Sequence, residues 1–418
     1  MKKILLVLLI CFCALPVFSQ GIPERVVEIG IAETNFGFAN NFLSGSEIFQ
    51  KVMVINYDNL KDGFGILAGG GINPFYFNFN SRKNWGFGIF TGVDVVGSID
   101  LNGKMLSLGT IKNAESQAAG ALFAAAGGSA YFDIKGFKVR AGMGMFYPLI
   151  YTQPVISYTY GGGATGGLDL ILDYNMRLYS AIDLDILSGV TDWKNFDMGS
   201  VNMQGAKLSA NPGFDISAGV EFPLSKALGI NDLLPFLDFD VGVDLYNIPL
   251  VPSMMKDYLS ITGNIALEDF DLFDFLDPDN DFNFDDYMDM QDPKIVKDAK
   301  GKAVLRPFKL IAWADWRPIN GSRLLRLRPF FGFAVNPLYG ENAASMELGL
   351  KVTFDLFNIF ILNMGLGYQD RLWKESLDIA INLRAIEIDL GIDMRSQNLA
   401  KSWQGGGVGV YAGIKVGW

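Results

Sequence analysis

Reactive side chains are scarce in this chain of 418 residues, which has no His and only two Cys. Without imidazole there is no histidine base, no histidine metal ligand and no Ser-His-Asp triad. Cys11 and Cys13 both lie in a hydrophobic leader at residues 1–19, so cleavage of that leader would remove every thiol nucleophile. Carboxylates remain, and they are densest in Glu268–Asp292, which holds eleven of the 45 acids and no base. Within it, Asp277, Asp279 and Asp281 have the alternate spacing that opens a calcium loop. Phe282 then stands where such a loop turns on Gly, and Met288 where it supplies a bidentate Glu. A solvated acidic loop at 268–292, anchored by Phe270, Phe273 and Leu276, is the simpler expectation. The glycine runs at Gly69 and Gly161 lack the helix and Lys of a phosphate-cradling loop. We therefore expect a non-enzyme without metal or cofactor, acting by passage or binding.

Half of the residues are hydrophobic and only 19% are charged, which points to a membrane protein or an apolar all-β chain. The net charge of −11 and the lack of a basic cluster exclude nucleic acid as a partner. Lys2 and Lys3 precede the uncharged stretch Ile4–Phe18, and Val17 and Ser19 complete the pattern of a secretory signal peptide cleaved after Ser19. A lipoprotein signal acylated at Cys11 or Cys13 is the alternative, which bulky Ile10 and Phe12 fit poorly. The expected mature chain, residues 20–418, has no Cys and forms no disulfide. No run approaches the ~20 apolar residues of a membrane helix. The window Gly63–Ser81 is broken by Gly69, Gly70, Gly71 and Pro74, and the one between Arg140 and Asp169 by Pro148, Pro154 and a Gly run. A membrane protein without helical spans must close a β-barrel, in which every backbone polar group is paired between strands.

Period-two alternation supports that solution. Leu348, Leu350, Val352, Phe354 and Leu356 alternate with Glu347, Gly349, Lys351, Thr353 and Asp355. Leu377, Ile379, Ile381 and Leu383 alternate with Asp378, Ala380, Asn382 and Arg384. After a one-residue slip, read here as a hairpin near Arg384, Ile386, Ile388, Leu390, Ile392 and Met394 alternate with Glu387, Asp389, Gly391, Asp393 and Arg395. A half-buried soluble sheet would alternate in the same way. In a barrel, Glu347, Lys351, Asp355, Glu387, Asp389, Asp393 and Arg395 would face the lumen and the apolar phase the lipid.

The last strand is more specific. Val408, Val410, Ala412, Ile414, Val416 and Trp418 share one phase up to the final residue, opposite Gly409, Tyr411, Gly413, Lys415 and Gly417. Here the chain resembles bacterial outer-membrane β-barrel proteins, whose terminal strand carries an assembly signal matched by Gly413, Val416 and Trp418. Tyr411 stands where a polar residue is usual in that signal. The resemblance implies an outer-membrane location, lipid and the barrel-assembly machinery as partners, and no catalytic site, since the barrel phospholipases and omptin-type proteases depend on a His this chain lacks.

Further strand-like segments are Val26–Thr34, Asn84–Val96, Tyr131–Phe146, Leu168–Asp185, Phe214–Phe222, Phe236–Tyr246, Leu305–Trp316, Leu324–Ala334 and Phe360–Tyr368. Ser46–Met53 and Ser225–Leu234 have the spacing of short helices, and Ala114–Ala126 fits helix or strand equally. Tyr147, Tyr151, Tyr174, Tyr179, Trp193, Trp313, Trp316, Tyr368 and Trp373 are expected in interfacial belts. At ~10 residues per crossing plus connections, the chain accommodates roughly 14 strands, range 12–16, in one transmembrane antiparallel β-barrel with short helical or loop insertions. Size and barrel class are similar to the long-chain fatty-acid transporter family, although the segment from Gly21 to Asn41 lacks that family's Asn-Pro-Ala element. The functional expectation is a channel or transporter for small or hydrophobic solutes. The apolar residues Ile359 and Ile361 in the second phase of Phe360–Tyr368 favour the hydrophobic kind. The alternatives are a non-conducting scaffold barrel presenting loops to a partner and a soluble exported β-sheet protein.

Overall fold

The computed structural model describes residues 25–41, 64–81, 84–101, 112–153, 155–162, 168–181, 210–230, 234, 236–256, 258–270, 288–290, 294–298, 300–319 and 322–418. In chain order the strands begin with β1 Val27–Asn40, β2 Phe64–Ser81, β3 Trp85–Leu101, β4 Lys112–Ile134, β5 Phe137–Thr152, β6 Val155–Gly162 and β7 Leu168–Ser180. Next come β8 Gly213–Phe222, β9 Asp238–Val251, β10 Ser253–Met255, β11 Tyr258–Phe270, β12 Met288–Met290, β13 Lys294–Asp298 and β14 Lys302–Val304. The chain ends with β15 Phe308–Arg317, β16 Leu325–Val335, β17 Ala344–Leu356, β18 Phe360–Gln369, β19 Leu372–Asn382, β20 Ile386–Ser396 and β21 Gly407–Gly417.

Fourteen of these close one antiparallel barrel in the order β1, β2, β3, β4, β5, β8, β9, then β15 to β21. The seam pairs the first strand with the last, from Glu28↔Gly417 to Ala39↔Gly407. Closure leaves no barrel edge unpaired, which is what a backbone in hydrocarbon requires. The burial pattern is inside out. Leu390 is 58% exposed and Ile392 50%, while Glu347 is 0% and Asp389 7% exposed. A soluble sheet would bury the leucines. Here the pleat sends the apolar phase outward and the charged phase into the lumen.

Connections differ sharply between the two ends. At one end lie the start of β1, the end of β21 and tight hairpins, including Lys135–Gly136 (φ 57° and 89°) and Phe357–Asn358 (φ 60° and 56°), whose paired positive φ matches the twist of the flanking strands. The former divides the segment Tyr131–Phe146 into two strands where the sequence suggested one. The hairpin expected near Arg384 is present, with Asn382↔Glu387 as its closing pair. The longest connections, 41–63, 153–212 and 252–307, leave from the opposite end, where the two-residue turn Asp370–Arg371 also lies.

Several elements differ from the sequence reading for identifiable reasons. Phe64–Ser81 is a full strand despite its glycines and Pro74, because Pro74 sits at a bulge between Ile72 and Tyr76 and takes part in neither neighbouring ladder. Ala114–Ala126 is part of β4. Of the expected helix at Ser225–Leu234, α1 covers Leu224–Ala227, where the Ser225 hydroxyl accepts from the Phe239 N–H at 2.7 Å instead of capping the helix, and Leu234 N–H donates to the Ile230 carbonyl at 2.8 Å; residues 231–233 lie outside the described residues. A short helix not foreseen, α2 Leu399–Trp403, is capped by Asn398, whose Oδ1 accepts from Ala400 N–H at 2.8 Å. The segment Ser46–Met53 lies outside the described residues.

The two longest insertions build one sheet beyond the long-loop end. Lys112–Gln117 of β4 leave β5 and pair with β6, which is followed by β7, β11 and then β12 and β13. The expected acidic loop is narrower than 268–292. Glu268–Phe270 finish β11, and Met288–Met290 form β12, which pairs with Ile265–Leu267. Residues 271–287, including Asp277, Asp279 and Asp281, lie outside the described residues. Replacing 271–287 with a short Gly/Ser linker should leave the yield of heat-modifiable folded barrel within about twofold of wild type, because changing the length of a hairpin connection alters closure entropy only slightly. A loss of folded barrel on gels would assign the segment a packing role instead.

Candidate functional site: the lumen and its mouth

Period-two alternation in every wall strand collects side chains from distant parts of the chain into the lumen. One side of the lumen is filled by charge pairs. Arg140 meets Asp244 at 2.5 Å, and Asp244 also accepts from Trp313 Nε1 at 2.8 Å. Arg317 forks onto Asp238 and Asp240, both at 2.6 Å. Arg328 reaches Asp315 at 2.8 Å while its guanidinium lies over the Trp313 ring, and Lys138 pairs with Glu221. Trp313 is therefore a lumen residue. Tyr151 and Tyr179 are likewise buried, so these three do not join an interfacial belt. Aromatics do cluster on the outer surface at the termini end: Phe79 with Trp85, Phe137 with Phe222 and Phe239 stacked on Trp316.

The other side holds a cavity of about 590 Å³. Its lining runs from Tyr339 at the mouth, past Lys351, Asn363, Ser376, Asp378 and Tyr411, to Glu28 near the termini end. Most cations here are held by acids. Lys415 contacts Glu387 at 3.0 Å and Asp389 at 2.7 Å, and Arg395 pairs with Asp393. In the β18–β19 turn, Asp370 receives Lys309 at 2.5 Å and Lys374 at 3.1 Å, and its N–H donates to Glu347 Oε1 at 2.9 Å. Burial opposes ionisation of Asp370, but the ammonium groups of Lys309 and Lys374 hold its carboxyl below the usual carboxylate range.

Over the mouth lies a 3₁₀ turn, Pro337–Asn342, in the connection between β16 and β17. It reaches across the barrel. Leu338, 4% exposed, joins the apolar cluster containing Val96, Phe123, Phe146, Tyr151 and Met255, and Tyr339 packs against Ala39, Leu67 and Leu372 on the facing wall. Gln153, at the end of β5, donates to the Leu338 carbonyl at 2.8 Å. Arg371 lies 5.2 Å from the centre of the Tyr339 ring, and burial pushes the Tyr339 phenol up. Gly340 has φ 56° and ψ −121°, a backbone geometry that favours glycine, so the lid turns on a residue with little strain. Nothing in the local pattern of 336–343 announces this placement, because the apolar partners belong to strands far away in sequence.

The residues singled out from sequence lie as follows. Glu347, Asp355, Asp389 and Arg395 are buried among other side chains, Glu387 and Asp393 are half-buried in ion pairs, and Lys351 is open to the cavity. Asp355 accepts from the Asn358 N–H at 2.7 Å and so holds a turn. Val416 sits between Ile29 and Ile386, the terminal Trp418 accepts from the Val26 N–H at 2.9 Å, and Gly413 lies against Glu33 and Tyr411. Lys309, Glu33, Asp378, Tyr411 and Lys415 also line the cavity and were not singled out, although each occupies the inward phase of its strand. Ile361 faces inward near the termini end, outside the cavity lining, so it makes no apolar path through it.

The sequence matches no protein-family model and no curated protein. Among solved structures, it is similar to the toluene transporter TodX of P. putida at 9% identity over 95% of this chain and 91% of that one, with TM-score 0.44. The translocator domain of the autotransporter NalP from Neisseria meningitidis aligns at 8% identity over 100% and 96%, TM-score 0.34. The transport unit of the autotransporter AIDA-I from Escherichia coli aligns at 8% identity over 97% and 93%, TM-score 0.31.

Proposed function

We propose that this chain is exported by a signal peptide at residues 1–19 and folds as a single barrel in the bacterial outer membrane, where it gives passage to small polar solutes. The observation that carries this reading is the water-accessible cavity running from the lid to Glu28, inside a wall whose outer face is apolar. Tight turns gathered at one end support a periplasmic side there, with the long insertions and the lid on the outer side. Charged and amide side chains such as Lys351, Asn363 and Asp378 support hydrophilic solutes, while Leu67, Val96, Phe330 and Leu372 in the same lining keep the hydrophobic solutes the sequence admitted as the alternative. No catalytic step is required. The joint sheet built by the two insertions supports the second reading, a scaffold barrel presenting that sheet to a partner.

The test begins with detergent fractionation and continues with single-channel recording in planar bilayers. Wild type should show small, steady openings, and the double change Leu338→Gly with Tyr339→Gly should raise conductance severalfold by releasing the lid. Silence from both proteins would reject passage in favour of the scaffold, and release without detergent would reject the membrane location.

A further inference from the structure

We propose that Lys351, supported by Arg326, is a subsite for the carboxylate of a small organic anion in the lumen. This deepens the passage reading and rests on it. Arg140, Arg317, Arg328, Lys309, Arg395 and Lys415 each have a carboxylate within salt-bridge distance. Lys351, exposed to the cavity, has no ion pair or hydrogen bond among the described residues. Arg326 has a buried Nε without a hydrogen-bond partner. Asp378 is the one acid whose charge acts on Lys351, and it makes no salt bridge with it, so the ammonium keeps its donors free toward the cavity for an anion that arrives from solution.

The strand register makes these two residues a unit. On facing strands Arg328↔Lys351 and Arg326↔Thr353 are direct pairs, so the inward phase of β16 and β17 presents three cations side by side. The charges that act on Lys351 are Asp378, Arg328, Arg326 and Lys415, a surplus of positive charge against one acid. Arg328 is committed to Asp315, and Lys415 to Glu387 and Asp389, which leaves Lys351 at the cavity wall to meet an incoming carboxylate, with the charge of Arg326 acting on the same spot. The adjacent side chain adds a neutral donor: Thr353 donates to Asn363 Oδ1 at 2.7 Å, leaving the Asn363 amide N–H groups at the cavity wall. Beside Lys351 on β18 stands Gly365, so no side chain fills the space in front of the ammonium from that position. An ammonium and an amide at the cavity wall, with the Arg326 guanidinium on the adjacent strand adding positive charge behind them, form an oxyanion-recognising set, in the manner of basic residues lining anion pores.

The experiment is titration calorimetry of the full, detergent-solubilised barrel with sodium malonate, with ethylammonium chloride as the cationic probe. Wild type should bind malonate saturably and ethylammonium not at all. Lys351→Gln should weaken malonate binding by roughly tenfold or more, as expected for loss of a charge-assisted contact. Lys351→Arg should retain it, and Lys135→Gln, in a turn outside the lumen, should not change it. Arg326→Gln should weaken it as well, and if that variant fails to give heat-modifiable barrel, the Lys351 pair of variants still decides. Absence of saturable malonate binding, equal binding by Lys351→Gln, or a preference for ethylammonium would overturn the subsite. Calorimetry reads binding without permeation, so a barrel that conducts yet ignores malonate loses the subsite and keeps passage, whereas one that binds malonate but never opens loses passage alone.

Discussion

Leu390→Arg should reduce the folded fraction of barrel in lipid vesicles by more than tenfold, while Lys351→Gln leaves it nearly unchanged. Leu390 sits midway along β20 and is 58% exposed on the outer face. Arginine at the bilayer midplane of a barrel costs ~2–4 kcal/mol, and each 1.4 kcal/mol is about a factor of ten in the folding equilibrium. Lys351 already lines the cavity and has no salt bridge to lose, so an uncharged amide there costs only its longer-range attraction to Asp378. Urea titrations of refolding into vesicles, read by heat-modifiable mobility, measure both. Equal tolerance of the two changes would mean that the outer face is not in lipid.

Deleting Val416–Trp418 should abolish folded barrel altogether. The three residues supply the end of the seam. Val416 pairs with Ile29 on one side and Ile386 on the other, Gly417 pairs with Glu28, and the Trp418 carbonyl accepts from both Val26 and Val27 at 2.9 and 3.2 Å. Their loss strips partners from two strands at once and leaves unpaired backbone groups where hydrocarbon offers no substitute. It also removes Val416 and Trp418 of the proposed assembly signal. The two causes separate experimentally. A truncated chain that refolds in detergent but never reaches the outer membrane in cells has lost the signal, and one that fails in both has lost the seam. Normal levels of folded protein in cells would overturn the prediction.

How much of this was legible in the chain differs by element. Class, period and phase are local properties. A pleated strand sends alternate side chains to opposite faces, so the runs at Met346–Leu356 and Ile386–Met394 announced which residues share a face without reference to any neighbour. The number of strands follows nearly from length, because bilayer thickness sets the residues per crossing. The missing His and the leader-bound Cys also restrict chemistry before any fold is known. Sequence reasoning erred where a residue's role depends on its partner. Trp313, Tyr151 and Tyr179 suit a membrane belt by composition, yet they turn inward because Asp244 and the apolar cluster beneath the lid lie across from them. The lid itself is ordinary turn sequence, and only barrel closure brings Leu338 and Tyr339 against side chains from the first four strands. Lys351 reads as one more charge in an alternating strand. Its lack of a partner is a tertiary fact, decided by the register that sets it beside Arg328 and Gly365 instead of beside an acid, and register in a closed barrel is fixed by the ring of strands as a whole.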